Sequence, residues 1–175
     1  YPSFISINKS KITKTLKQNP FIKDVQIKKN LKFQITINVT EEKVVAYNLT
    51  NQSYLLSNGT YINDKNFLGV PQLNNYTPED VLKNFAEELG KLDEDIIADI
   101  SEIEYSPSKN ETGETIDSTR FKLKMKDGNT VYINVKKCNV LSYYNQIYAS
   151  LKDKKGVLNL DSGNYERYVL TLYEE

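Results

Sequence analysis

The stretch that decides the reading runs from residue 19 to residue 39, NPFIKDVQIKKNLKFQITINV. Asn19-Pro20 interrupts whatever precedes it, because the residue before a proline is pushed out of the helical region. Val25 and Ile27 then point one way, with Asp24, Gln26 and Lys28 the other. After Lys29-Asn30 the pattern resumes, with Phe33, Ile35, Ile37 and Val39 on one face and Gln34, Thr36 and Asn38 opposite. A period of two over seven residues marks a half-buried strand, and the two runs are expected to pair as a hairpin.

Upstream, residues 6–18 read as a helix, with Asn8 as its cap and Ile12 and Leu16 one turn apart on one face. Helix and strands each carry a single apolar face, so Ile12, Leu16, Val25, Ile27, Ile35 and Ile37 are expected to pack together. Glu41-Glu42-Lys43 marks the boundary of this first unit.

Downstream, residues 44–49 and 53–57 read as a second strand pair, Asn58-Gly59 as a tight turn, and residues 63–75 as a loop. Thr77-Pro78-Glu79-Asp80 has the chemistry of a helix start, with Thr77 as cap and Pro78 in the first helical position. Val81, Leu82, Phe85, Leu89 and Leu92 give that helix its apolar face, and a short helix follows at 94–100. Residues 103–106 form a strand, and residues 107–118, polar and aperiodic, form an exposed hairpin loop. Phe121, Leu123 and Met125 alternate, Asp127-Gly128 turns the chain, and Val131, Ile133 and Val135 alternate back. Leu141, Tyr144, Ile147, Tyr148 and Leu151 mark a helix ending near Gly156. Val157, Leu158 and Leu160 form a strand, and residues 165–173 a last one.

Composition narrows the function. Apolar residues make up 39% of the 175, enough for a core, and 23 basic side chains balance 23 acidic ones. That balance selects no nucleic acid, whose phosphates call for a basic surface. With no histidine there is no imidazole for a catalytic triad or dyad. Cys138 is the one cysteine and supports neither an internal disulfide nor a zinc site; it reads as a small packed residue. Asp93-Glu94-Asp95 sits at a helix start and reads as dipole-favoured surface acids. Glycine is too sparse for a phosphate-cradling loop. No catalytic, cofactor or metal residues are expected, and the chain reads as a binding protein, not an enzyme. Tyr144 and Tyr148 fit packing; Tyr143, Tyr165 and Tyr168 suit packing or recognition equally. No apolar run is long enough to span a bilayer. The chain opens at Tyr1-Pro2 without an initiator Met, and is expected to be a segment of a longer protein.

The order of these features resembles the extracytoplasmic part of the FtsQ/DivIB family of bacterial cell-division proteins. Phe4-Ile5-Ser6-Ile7-Asn8-Lys9, Ile12, Leu16 and the run from Asn19 to Val25 are similar to that family's POTRA domain. So are Lys29-Asn30-Leu31, Ile35, Ile37, Val39, Glu41 or Glu42, and Val45-Ala46. Tyr54-Leu55-Leu56 with Asn58-Gly59-Thr60-Tyr61-Ile62, then Val70-Pro71-Gln72-Leu73, Asp127-Gly128 with Val131 and Ile133, and the stretch from Tyr144 to Leu151 with Gly156 to Leu160 after it resemble the second, β-type domain. Lys32 departs from the family's usual proline, and residues 107–118 have no counterpart there.

The resemblance implies an α+β protein. Residues 1–43 would be a POTRA-like unit of helix, short turn and β-hairpin lacking its first strand. Residues 44–175 would be a larger, mostly antiparallel β-domain with flanking helices. It implies a non-enzymatic divisome scaffold without cofactor, anchored in the cell membrane by one transmembrane helix outside this sequence. That scaffold would act on the extracytoplasmic side at the septum. It would bind FtsB/DivIC-like and FtsL-like partners and so help control the septal peptidoglycan synthase. A POTRA-containing transport or chaperone module of the cell envelope is the alternative. The partner site is expected on a terminal edge strand within residues 156–173, where apolar residues mix with tyrosines: Val157, Leu158, Leu160, Tyr165, Tyr168, Leu170, Leu172 and Tyr173. The other arrangement is that the last strand merely closes the sheet and is itself covered.

Overall fold

In the computed structural model, which describes residues 7–63, 66–150, 154–162 and 169–173, residues 1–43 and 44–175 form two compact units. The first begins with α1 (Lys9–Leu16), capped by Asn8, whose side chain accepts from Lys11 N. Asn19 Oδ1 accepts from Phe21 N in the turn that follows. The chain then enters β1 (Ile22–Lys29), which pairs antiparallel with β2 (Ile35–Glu41) in the register Val25 to Val39, Ile27 to Ile37 and Lys29 to Ile35.

The core of this unit is thinner than its pattern suggests. Val25 is buried and Ile12, Leu16, Ile27 and Ile35 are half-buried, but Ile37 and Val39 are 43% and 41% exposed. The physical reason is coverage. Within this unit helix α1 packs mainly on β1, so β2 is the less covered strand.

The second unit is built on a nine-stranded sheet. Its strands are β3 (Val44–Asn48), β4 (Ser53–Leu56), β5 (Tyr61–Ile62), β6 (Gln72–Leu73), β7 (Ile100–Tyr105), β10 (Arg120–Met125), β11 (Thr130–Asn134), β12 (Gly156–Asn159) and β13 (Val169–Leu172). Strands β8 (Ser108–Lys109) and β9 (Thr115–Asp117) form a small separate hairpin. The order across the large sheet is β13-β12-β11-β10-β7-β6-β3-β4-β5. Pairings are mostly antiparallel; β3 with β6, β6 with β7 and β11 with β12 are parallel. With its helices, the chain is α+β, as its sequence pattern leads one to expect.

Alternation explains the two faces of the sheet. Phe121, Leu123, Met125, Val131 and Ile133 are buried. They share a core with Leu82, Phe85, Ala86 and Leu89 of α2 (Glu79–Leu89), Ile96 and Ile97 of α3 (Glu94–Asp99), and Tyr144 of α4 (Tyr144–Ser150). The opposite face carries charge in register: Lys122 lies beside Glu104 at 3.3 Å and Lys124 beside Glu102 at 2.9 Å. Cys138 is fully buried in the core, and loss of solvation, with a smaller push from Glu88, raises its thiol pKa to about 12.

Several boundaries differ from the sequence reading. The loop expected at 63–75 contains β6, two residues that bridge β3 and β7 inside the sheet. Thr77 does not cap α2: Pro78, in extended backbone, holds the cap position, and the Thr77 hydroxyl is buried without a partner among the described residues. Val135 and Leu141 belong to a 3-10 helix (Val135–Tyr143) that precedes α4. Its start is capped by Asn134, which accepts from Lys137 N. Gly156 does not end a helix but opens β12.

The β8–β9 hairpin pairs only with itself among the described residues. Its tip is organised by Asn110, whose Oδ1 accepts from Glu114 N at 2.8 Å, and Ile116 is 68% exposed. Replacing residues 108–116 by a short glycine-containing turn is expected to leave the melting temperature almost unchanged. Asp117 is kept in that design, because it accepts from Thr119 N and Asn134 Nδ2. A loss of folding, seen as a lowered transition by circular dichroism, would count against this.

Candidate interaction edge

The end of the large sheet is where the sequence placed a partner site, and its hydrogen bonds show which groups point outward. Along β12, Gly156 N donates to Asn129 Oδ1 at 2.9 Å and Leu160 N to Tyr132 O at 2.9 Å, both away from β13. Tyr173 N donates to Lys155 O at 3.2 Å. Antiparallel pairs alternate between bonded and non-bonded. With Gly156 opposite Leu172, Val157 opposite Thr171 and Leu158 opposite Leu170, Val169, Thr171 and Tyr173 direct their backbone groups to β12. Leu170 and Leu172 direct theirs outward. No described strand pairs with that side.

The side chains of the expected site divide three ways. Leu158 and Leu160 are each 1% exposed and form part of the core. They therefore offer no side-chain surface to a partner: β12 is an interior strand, and its apolar residues serve the fold. Val157 is half-buried on the same strand, and Leu170 packs against the core from β13. Leu172 and Tyr173 are 48% and 45% exposed, on opposite faces of the chain by alternation. Tyr165 and Tyr168 lie outside the described residues.

Two features outside the expected partner residues hold this edge. One is Gly156. A Cβ there would fall 2.2 Å from Thr171 O and 2.9 Å from Thr171 C, so β12 and β13 meet at a distance only glycine permits. A lone glycine beside an apolar strand run carries that signal. The other is a polar knot beneath it. Tyr144 Oη donates to Asp127 Oδ2 at 2.8 Å, Asn129 Nδ2 donates to the same oxygen at 3.0 Å, and Asn129 Oδ1 accepts from Gly156 N. Burial first, then the hydrogen bond to Asp127, pushes the Tyr144 phenol well above its ordinary pKa, so it stays a donor. Tyr173 Oη reaches over β12 to donate to Thr130 Oγ1 on β11 at 2.7 Å. At the far end of β12, Arg120 pairs with Asp161 and lies 3.7 Å over the Tyr132 ring.

The first 42 residues match the family model described as a POTRA domain of the FtsQ type. Over 169 residues the chain is 31% identical to the cell division protein DivIB of Listeria monocytogenes, covering 92% of this chain and 60% of that protein. It is equally 31% identical over 169 residues to the DivIB of Bacillus subtilis, covering 93% of this chain and 62% of that one. Over nearly its whole length the chain is similar to proteins of the FtsQ/DivIB family. It spans about three fifths of the length of these relatives. A solved structure of the major extracytoplasmic domain of the trans isomer of DivIB from Geobacillus stearothermophilus superposes with a TM-score of 0.50. It covers 65% of this chain and 96% of that one at 24% identity, a likeness of fold. In this chain β13 is the last described strand at one end of the nine-stranded sheet.

Proposed function

We propose that this chain is the extracytoplasmic part of a membrane-anchored bacterial cell-division protein, residues 1–43 being a POTRA domain without its first strand and residues 44–175 its β-domain. It is a non-enzymatic scaffold at the septum. It binds FtsB/DivIC-like and FtsL-like partners and through them acts on septal peptidoglycan synthesis. The observation that carries this reading is the outer side of β13, which no described strand pairs with and toward which the N–H and C=O groups of Leu170 and Leu172 are directed. An extended partner segment can add there as one more strand, with backbone pairing supplying affinity and Leu172 and Tyr173 flanking it.

The test separates the outer side of β13 from its inner side. Proline at Leu172 removes an outward donor and no internal sheet bond, a placement edge strands tolerate. Leu172→Pro is expected to stay folded and to lose binding to the ectodomain of the DivIC-like partner by at least about tenfold in a calorimetric titration, since each unsatisfied backbone acceptor costs roughly 1–3 kcal/mol. Wild-type affinity in a folded Leu172→Pro chain would move the docking site off this edge.

A further inference from the structure

The first unit carries a charge and surface pattern that strand addition at β13 does not use. Residues 1–43 contain nine lysines against three acids, Asp24, Glu41 and Glu42, a net charge of +6; residues 44–175 carry the compensating −6. At the tip of the β1–β2 hairpin two large apolar side chains stand in water: Leu31 is 100% exposed and Phe33 is 75% exposed. Lys28 and Lys32, beside them in the chain, are exposed as well.

This tip is built, not loose. Asn30 Oδ1 accepts from Lys32 N at 2.9 Å and from Gln34 N at 3.0 Å, and Asn30 N donates to Gln34 O at 3.1 Å. Lys29 Nζ ties the base of the tip to Ile7 O at 2.9 Å. Phe33 is held at φ 58, a left-handed backbone region where asparagine or glycine is the ordinary occupant and an aromatic is an outlier.

We propose that the β1–β2 tip inserts Leu31 and Phe33 into an anionic phospholipid surface, with Lys28 and Lys32 at the level of the phosphates. A wedge of this composition suits the boundary between headgroups and acyl chains: the rings and branches enter the apolar margin while the ammonium heads stay with the anions. The +6 charge of the unit adds long-range attraction to a negative bilayer. A soluble polyanion would satisfy the lysines and leave Leu31 and Phe33 in water, so a bilayer is the occupant that answers both features.

The experiment is co-sedimentation of the whole chain with vesicles of equimolar phosphatidylglycerol and phosphatidylcholine. Binding is expected there, weakening as salt is raised, and not with phosphatidylcholine alone. The double variant Leu31→Ser with Phe33→Ser is expected to bind at least about tenfold more weakly, from the lost burial of two large apolar groups. Lys28→Gln with Lys32→Gln is expected to weaken binding to the anionic vesicles and to flatten its dependence on salt. The chain has no tryptophan, so Leu31→Trp supplies a single reporter whose emission is expected to shift to the blue on anionic vesicles. Unchanged binding by the serine variant, or no emission shift, would replace insertion by simple adsorption of a cationic unit and overturn the proposal. Equal binding to phosphatidylcholine, or wild-type binding to soluble polyphosphate as tight as to the vesicles, would do the same.

Discussion

Phe121→Ala is expected to lower the stability of the second unit by about 3–5 kcal/mol, the range for deleting a buried aromatic side chain. Phe121 is fully buried on β10, between β7 and β11. Its ring stacks on Phe85 of α2, with centroids 3.8 Å apart and planes 9° from parallel, and meets Tyr105 edge-on at 5.6 Å. The pair joins helix to sheet, so the cavity would open where the two layers meet and neither backbone is free to collapse. Urea unfolding measures it: the midpoint should fall while the slope stays constant. Phe85→Ala should cost a similar amount, and the double variant less than the sum, because the second deletion removes a ring already missing its partner. A loss below about 1 kcal/mol for Phe121→Ala would show that this stack does not hold the layers together.

Gly156→Ala, a single added methyl, is expected to detach β13. The new Cβ would lie 2.2 Å from a backbone oxygen, which cannot rotate away as a side-chain tip would, so the strand itself must shift. The cost should reach the upper end of the roughly 1–3 kcal/mol typical of overpacking. The damage should stay local, since β12 keeps its bonds to β11 and to Asn129 on its other side. Hydrogen exchange should show this directly: the inward amides of Val169, Thr171 and Tyr173 lose protection while those of β10 and β11 keep theirs. Under the proposed function, binding of the DivIC-like partner should be lost with the strand. A Gly156→Ala chain that retains both protection in β13 and full binding would remove the basis for placing the partner there.

Much of this protein is local and was therefore legible in its sequence. The hairpin around Asp127-Gly128 follows from alternation on either side of a dipeptide suited to the turn, where Gly128 sits at φ 94. The amphipathic face of α2 and the Asn8 cap of α1 follow from helical spacing and short-range hydrogen bonding in the same way. The polar hairpin at 108–117 announced itself by having no apolar period. The family likeness rested on the order of such local signals, and the comparisons agree with it.

The sequence by itself thus determined most of the strands and helices, which face of most of them is apolar, and that histidine-based chemistry is absent. Only the tertiary structure decided which neighbours those segments take. Gln72 and Leu73 become a strand because β3 and β7 flank them, not because two residues carry a period. Ile37 and Val39 alternate correctly yet stay half in water because α1 packs mainly on β1. Leu158 and Leu160 have the same apolar character as Leu170 and Leu172, but β12 and the residue after it are flanked within the sheet and become core, while β13 is its last described strand. The physical reason is that side-chain periodicity is set by backbone sterics within a few residues, whereas burial and edge position depend on contacts between segments far apart in the chain.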